Sequence, residues 1–364
     1  MTVLDEGART TVDDTTVDGL NRRLADAIAL VDLAPDGLSA RIEDREITAD
    51  TPARLRDRLA VLIYEHLHAG RPEREESMPR SLRDWRLERL LHEATPHRST
   101  PHRARLCGLH ENLPVVEIDG IRVCVPEADA DPGAATSRAT HTAEPSPALS
   151  VAAGLRELAA RPATADGDTY VDVYIPAARP ALSPGFFLAD GSLGRPVTGA
   201  LLRLYTHVTE ADHAPGVWHT VLTALEEARV PYRAKISSSP LLYPRRDALV
   251  VYLSTDALHA VDTVREAVRD IPGLGAQTSP FADEIAPGFA AAWEPEDNRP
   301  GHRAMSFGEH RSAAVAAGLT AHRLTPTHPS AAAAVAAALT EAGVDPAHPA
   351  RSLGRPHADP RKGV

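Results

Sequence analysis

Residues 201–240 decide the fold of this chain; they read "LLRLYTHVTEADHAPGVWHTVLTALEEARVPYRAKISSSP". The stretch opens with a run typical of a β-strand, continues as an amphipathic helix and closes with a second strand. The helix is predicted from apolar residues at helical spacing, which are Val217, Trp218, Val221, Leu222 and Leu225. The succession of strand, helix and strand predicts a domain in which both element types share one core.

Side chains alternate between the two faces of a strand, so each strand of this stretch has an apolar face and a polar face. In "GALLRLYTHV" (199–208), Arg203, Tyr205 and His207 share the polar face. In "VPYRAKI" (230–236), Arg233 and Lys235 share one face. The alternation therefore predicts that ionisable side chains line one side of a sheet.

Further strands and helices flank this stretch. Strands are predicted in "TYVDVYIP" (169–176), "GFFLADG" (185–191) and "DALVVYLS" (247–254). Helices are predicted in "DALHAVDTVREAVRDI", in "SFGEHRSAAVAAGLTA" and in "SAAAAVAAALTEAG", the last of which begins at Ser330 and is closed by Gly343. Because there is no strict βαβ rhythm, we expect an α+β fold with a curved, mixed or mostly antiparallel sheet and packed helices.

The first third of the chain has a different pattern. Residues 17–95 are predicted to be helical, with Thr51 as a helix N-cap, Pro52 in the first turn and Gly70 beyond the helix end. "LPVVEIDGIRVCVPE" predicts a hairpin. The expected organisation is a mainly helical N-terminal region with a hairpin over 1–126, a flexible linker over 127–150 and an α+β catalytic domain over 151–364.

Composition excludes several classes of protein. The net charge of −11 argues against nucleic-acid binding. No run approaches 18 apolar residues and no signal peptide is recognisable, so we expect a cytoplasmic protein without a membrane partner. Cys107 and Cys124 form no metal-binding spacing and are expected to be buried free thiols in a reducing cytoplasm.

Lysine is almost absent from this chain. Of 39 basic residues, only Lys235 and Lys362 are lysine, and only Lys235 lies in a patterned strand. Arginine is effectively always protonated, whereas lysine can lose its proton when it is desolvated or close to other cations. Lys235 is therefore a candidate titrating group, although composition alone favours the chance survival of one lysine on a solvated surface.

Familiar catalytic motifs are absent. There is no GxSxG and no Walker loop, and "GLGAQT" (273–278) does not fit GxGxxG. His66 and His68 stand two positions apart, which does not place them on one helix face. We expect no metal and no cofactor.

The remaining polar residues suit the elimination of phosphate from a phosphorylated residue. Lys235 would remove the α-proton, and His207 would protonate the departing phosphate. Arginines bind phosphate with two parallel hydrogen bonds, and the candidates are Arg203, Arg245, Arg246, Arg303 and Arg311. The alternative is that these arginines only solvate the sheet surface.

Four motifs, "RPALSPGFFLADGS", "LRLYTHVT", "YRAKISSSP" and "SFGEHRS", resemble the HopA-type type III effector-like family over roughly residues 150–325. Bacterial relatives occur in the biosynthesis of class V lanthipeptides and thioamitides. The resemblance implies a phosphoserine/phosphothreonine lyase that forms dehydroalanine or dehydrobutyrine in a ribosomal precursor peptide. It also implies an aminoglycoside-phosphotransferase-like kinase as the partner, in a hetero-complex.

A more distant similarity to phosphothreonine lyases of the OspF and SpvC type implies the same roles for His207 and Lys235. The similarity extends to the order of elements, with an arginine of the pair 245–246 and then Tyr252 following the lysine strand. Those lyases have a basic residue two positions before the histidine, where this chain has Tyr205. Arg203 is the candidate to replace it, and Tyr205 and Tyr252 are possible supporting residues.

Two other functions stay open. The protein could be a non-catalytic partner that binds a leader peptide or stabilises the kinase, because its helical N-terminal region shows no chemistry. A translocated virulence effector is the third interpretation, which the N-terminus does not favour because it is not conspicuously serine-rich.

Overall fold

The computed structural model describes residues 15–71, 82–118, 120–125, 169–197 and 199–354. Among them the chain forms two compact units. Unit 1 contains the described residues up to 71 together with 245–247 and 276–354, and unit 2 contains those from 82 to 244 together with 248–275. Each unit draws on both sides of the predicted linker at 127–150, which lies outside the described residues.

The elements of the described residues mix helices and strands throughout. The helices are α1 (Arg22–Ile28), α2 (Pro52–Ile63), α3 (Trp85–Ala94), α4 (Ala214–Glu227), α5 (Ala260–Val268), α6 (Phe307–Leu324) and α7 (Ala331–Glu341). The strands are β1 (Thr16–Val17), β2 (Leu20–Asn21), β3 (Val31–Leu33), β4 (Ser39–Ile42), β5 (Arg45–Thr48), β6 (Ser99–His110), β7 (Leu113–Ile118), β8 (Ile121–Cys124), β9 (Tyr170–Pro176), β10 (Ala178–Ser183), β11 (Phe186–Asp190), β12 (Leu201–Val208), β13 (Arg233–Ser237), β14 (Arg245–Ser254), β15 (Asp283–Ala286) and β16 (Phe289–Trp293). The α+β prediction is confirmed. Among the described residues, none of the helices has the length and apolar composition of a membrane span.

Helix ends follow the capping residues of the sequence. The Thr51 side chain accepts a hydrogen bond from the backbone N–H of Arg54, and α2 begins at Pro52. A π-helical segment, Tyr64–Ala69, continues α2 and ends at Gly70, whose φ is +65°. Ser330 caps α7 in the same way as Thr51 caps α2. These three end points of the sequence prediction are confirmed.

The helical prediction for the N-terminal region is wrong between residues 31 and 48. There β3, β4 and β5 form an antiparallel sheet. The first helix also begins later than the predicted start at residue 17. Gly19 adopts φ +81°, and the side chain of Asn21 caps α1 by accepting from the backbone N–H of Leu24. Positive φ at Gly19 is incompatible with a continuous helix.

Two sheets form the frame of unit 2. The first places its strands in the order β8-β7-β6-β9, and the predicted hairpin is confirmed by the antiparallel pairing of β7 with β8. The expectation that both thiols are buried is wrong, because Cys124 of β8 is exposed and Cys107 of β6 is only partly buried. The second contains neighbouring strands in the order β10-β11-β13-β14-β12. We call it the central sheet, because β12 and β13 carry the candidate site residues.

One face of the central sheet is packed with apolar side chains. Trp218 of α4 meets Phe187 of β11 edge to face, with ring centroids 5.8 Å apart. Its indole N–H donates to the Thr95 hydroxyl at 3.0 Å, which satisfies the polar atom of a fully buried side chain. Successive side chains of a strand point to opposite faces, so the residues that alternate with these apolar ones lie on the other face of the sheet.

Candidate active site

The opposite face of the central sheet is rich in ionisable side chains, and we call it the cationic face. The antiparallel register places Lys235 opposite Leu188 on one side and Val250 on the other, and Arg233 opposite Asp190 and Tyr252. Directly opposed residues share a sheet face. The cationic face therefore comprises Phe186, Leu188, Asp190, Arg233, Lys235, Val250 and Tyr252, together with Arg203, Tyr205 and His207 of β12.

Lys235 is half-buried and lies between two aromatic rings. Its Nζ is 4.4 Å from the centroid of the Phe186 ring and 5.9 Å from that of Tyr252. Ammonium groups within about 6 Å of a ring centroid are attracted to the ring face. The two rings therefore hold the lysine head group in one place on the cationic face.

Arg203 reaches the same tyrosine from the other side. Its Cζ is 5.0 Å from the centroid of the Tyr252 ring, and its side chain is buried. Strand β14, which carries Tyr252, lies between β13 with Lys235 and β12 with Arg203. The structure thus brings together Lys235, Arg203 and Tyr252, which the sequence had placed on separate strands.

His207 is buried, with 8% of its surface exposed, and stands on the Arg203 face of β12. The chain at Gly275 closes over it, and the Gly275 backbone N–H donates to the His207 carbonyl at 3.1 Å. A β-carbon at Gly275 would lie 2.3 Å from two atoms of the imidazole ring. Any side chain at position 275 would force the ring or the backbone to shift, so the lack of one at Gly275 lets the chain pack directly against the imidazole. Tyr205, between Arg203 and His207, is also buried.

Sequence reasoning missed two residues of this face, Asp190 and Phe186. The buried Asp190 carboxylate accepts from Nε of Arg233 at 2.6 Å and from Nη2 at 2.9 Å, and it pairs with Arg179 at 3.1 Å. The signal was present in "GFFLADG", since alternation from Phe186 puts Phe186 and Asp190 on one face. What the sequence could not supply is the register that sets this face beside Lys235.

Arg245, a predicted phosphate ligand, belongs to unit 1. Its guanidinium is buried and donates to the Asp247 carboxylate at 3.0 Å and to the Tyr64 hydroxyl at 2.6 Å. Burial acts against its charge, but the carboxylate and the phenol outweigh burial and raise the pKa of Arg245. Within unit 1 this arginine is the centre of a buried polar network.

The other predicted arginines of unit 1 differ in their surroundings. Arg246 donates to the Leu67 carbonyl at 2.8 Å and to the Gln277 side chain at 2.9 Å. Arg303 is exposed in a turn. Arg311 is fully buried, donates to the Pro349 carbonyl at 2.8 Å and stacks over Phe307 at 4.7 Å. These contacts account for the burial of Arg311 within its own unit, and the roles of all three in phosphate binding stay predictions.

Unit 1 also holds a cluster of Asp297, His302 and His310, whose potential metal-ligand atoms lie within 4.8 Å of one another. Arg299 donates to the Asp297 carboxylate from Nε, from Nη2 and from its backbone N–H, and these hydrogen bonds hold the pKa of that carboxyl well below its usual value. Arg311 Nη1 lies 2.8 Å from His310 Nδ1, and arginine can only donate. His310 Nε2 therefore carries the proton that Asp297 accepts at 2.9 Å. With N–H groups filling these positions, the cluster is a hydrogen-bonded network.

Comparison with known proteins finds a matching family model, and the matching solved structures include two bacterial effector proteins. The model of the HopA1 effector protein family matches residues 177–351. An effector protein from Pseudomonas syringae pv. tomato strain DC3000 is 17% identical with a TM-score of 0.37, and one from Pseudomonas syringae pv. syringae strain 61 is 14% identical with a TM-score of 0.36. Each similarity covers 46% of this chain and 63% of the effector chain, so this chain spans less than two thirds of those proteins. No curated protein matches the sequence.

Proposed function

We propose that the cationic face of the central sheet is the active site of a phosphoserine/phosphothreonine lyase, and the match of residues 177–351 to the model of the HopA1 effector protein family supports this proposal. Its substrate is a phosphorylated ribosomal precursor peptide, and its product is dehydroalanine or dehydrobutyrine. The observation that carries the proposal is the meeting of Lys235 and Arg203 on the ring of Tyr252, on the face that also holds His207.

Lys235 is the general base of the proposed reaction. The neutral amine takes the proton from Cα of the phosphorylated residue, and the electron pair of that C–H bond forms the new double bond between Cα and Cβ. The rings of Phe186 on β11 and Tyr252 on β14 flank the head group from the two neighbouring strands. A positioned base of this kind contributes about 10²–10⁴-fold to the rate.

His207 is the general acid. As the bond between Cβ and the ester oxygen breaks, that oxygen receives the imidazole proton, and the phosphate leaves in its protonated form. The proton gained by Lys235 and the proton lost by His207 balance over the turnover after exchange with water. The close packing of the chain at Gly275 against the imidazole supports this role, because it limits the space in which the ring can move.

Arg203 is the first phosphate ligand. It is buried on the same face and stacks on the tyrosine that Lys235 also contacts. A guanidinium offers paired N–H donors that match two phosphate oxygens. Arg203 therefore takes the place of the basic residue that related lyases have at the position of Tyr205.

The partners follow from the chemistry. A lyase of this kind consumes a phosphoester, so a kinase must first phosphorylate the precursor peptide. We assign that step to an aminoglycoside-phosphotransferase-like kinase in a hetero-complex with this chain, and we place both proteins in the cytoplasm.

The test is mass spectrometry of synthetic phosphoserine and phosphothreonine peptides incubated with the purified full chain, with and without the kinase. Loss of phosphoric acid from the peptide supports the proposal. The matched variant is Lys235→Arg, which keeps a cation on the face and removes the usable base. Elimination by wild-type protein that persists unchanged in Lys235→Arg contradicts the assignment of the base.

A second function, peptide binding without catalysis, is favoured by a cavity of about 580 Å³ in unit 2. Its lining combines arginines with exposed apolar side chains, and includes Arg103, Arg105, Arg195, Tyr170, Leu193 and Val197. Tyrosine and arginine are enriched in protein interfaces. If the protein acts only as a carrier, precursor peptide binds this chain with equal affinity whether or not it is phosphorylated, and no phosphate is released.

A further inference from the structure

Arg233 stands where a second phosphate ligand is needed. The register places it directly opposite Tyr252, two positions before Lys235 on the same face of β13. Arg203 approaches that tyrosine from β12, on the other side of β14. Tyr252 is therefore flanked by Arg203 on one neighbouring strand and by Arg233 and Lys235 on the other.

The geometry of the substrate requires base and phosphate ligand to be neighbours. In a phosphoserine, only Cβ and the ester oxygen separate Cα from phosphorus. Alternate residues on a strand are about 6.5–7 Å apart along the backbone, within reach of two long side chains that converge on one residue. Arg233 is thus spaced from Lys235 as a phosphate ligand should be spaced from the base that acts on Cα.

Asp190 determines the orientation of Arg233. Its carboxylate receives both Nε and Nη2 of Arg233, and its side chain is only 2% exposed, so the pair cannot exchange freely with water. The Arg233 side chain itself is 24% exposed. An arginine fixed in this manner binds an anion without losing the rotamer freedom that a mobile arginine loses.

Arg179 shares the carboxylate with Arg233, from the edge strand β10. It contacts Asp190, but two strands, β11 and β13, separate its strand from β14. Arg179 therefore serves as a comparison residue, because it has the same carboxylate partner without the place beside Tyr252.

From these contacts we infer that Arg233 is a further ligand of the substrate phosphate and that Asp190 is the residue that positions it. The inference rests on the proposed function, since it assigns a role at the same face. It predicts that the two residues act on the phosphate and leave the rest of the peptide unaffected.

The experiment measures binding of one peptide in its phosphorylated and unphosphorylated forms. Titrations use the Lys235→Arg background, so that binding is measured without turnover. Arg233→Ala is expected to weaken phosphopeptide affinity about tenfold or more, as loss of one charge-assisted contact does, and to leave the unphosphorylated peptide unchanged. Asp190→Asn is expected to cause a smaller loss in the same direction, and Arg179→Ala a smaller loss than Arg233→Ala.

Folding is checked by circular dichroism and thermal unfolding of each variant. If Arg233→Ala does not fold, Arg233→Lys keeps the charge and the aliphatic stem, and an intermediate loss for the phosphopeptide alone supports the inference. Equal losses for both peptides, or unchanged phosphopeptide binding, overturn it. If the wild-type chain releases no phosphate while Arg233→Ala still selectively loses phosphopeptide binding, the lyase proposal fails and the phosphate-ligand assignment stands.

Discussion

The replacement of Gly275 by alanine tests whether the orientation of His207 controls the reaction. A methyl group at this position would lie 2.3 Å from Cε1 and Nδ1 of the His207 ring and 2.7 Å from Nε2. Ordinary van der Waals contact begins at 3.4 Å, so the ring must move by about 1 Å. The backbone offers little relief, because the Gly275 N–H is bonded to the carbonyl of His207 itself.

The expected effect on the rate follows from that displacement. Misplacement of a reacting group by 1 Å costs on the order of 10²-fold in rate. This corresponds to about 2.7 kcal/mol of transition-state stabilisation. The substitution removes no ionisable group, so a loss of this size has to come from the geometry of the acid.

The assay is phosphate release from a phosphothreonine peptide, measured together with release of a sulfonate from the matching ester. A sulfonate leaves without protonation, so Gly275→Ala is expected to slow phosphate release about 100-fold and sulfonate release much less. The matched control is Gly216→Ala, because a β-carbon at Gly216 in α4 has no neighbour within 4 Å. A wild-type rate in folded Gly275→Ala protein, or equal defects for both leaving groups, would refute His207 as the acid.

Three further predictions concern single residues of the two units. Arg203→Ala, which truncates a buried side chain of the cationic face, is expected to weaken phosphopeptide affinity about tenfold or more and to leave binding of the unphosphorylated peptide unchanged; titration of the variant with both peptides checks this. Ser306→Ala removes the capping box at the start of α6 and is expected to lower the free energy of unfolding by about 1 kcal/mol, measured in urea. Burial and the Arg311 charge lower the pKa of His310, so the unfolded chain binds a proton that the folded chain does not. The contribution of His310 to the free energy of unfolding should therefore be fully present above about pH 6.5 and be lost as the pH drops below that value. Urea unfolding of His310→Gln over the same pH range should show a weaker fall in stability.

Local patterns predicted the faces of the strands. Alternation placed Arg203 with His207 on β12 and Arg233 with Lys235 on β13, and the capping residues located the starts of α2 and α7. These features depend on residues a few positions apart, so one sequence is enough to find them. The pairing of strands that are distant in sequence depends on register, which is why Tyr252 as the meeting point of two strands was not predicted.

The close approach of a glycine to another side chain could not be predicted from the sequence. "GLGAQT" was rejected as a nucleotide-binding motif, and nothing in it indicated that its second glycine lies against an imidazole 68 positions earlier. In the N-terminal region, the short strands β3 and β4 were not predicted. A strand of three or four residues is too short to show a clear alternation, and the helical patterns on either side of it are longer.

The packing of Lys235 does not explain why this position is a lysine. Its contacts with Phe186 and Tyr252 are cation–π contacts, which arginine makes at least as readily. Elsewhere the described chain uses arginine over aromatic rings, as at Arg103, Arg203, Arg245 and Arg311. An arginine at position 235 could keep the charge and the stacking, and it would follow the strong bias of a chain with 37 arginines. The property that it could not keep is the ability to give up its proton, and a base that takes the α-proton of a phosphorylated residue needs that property.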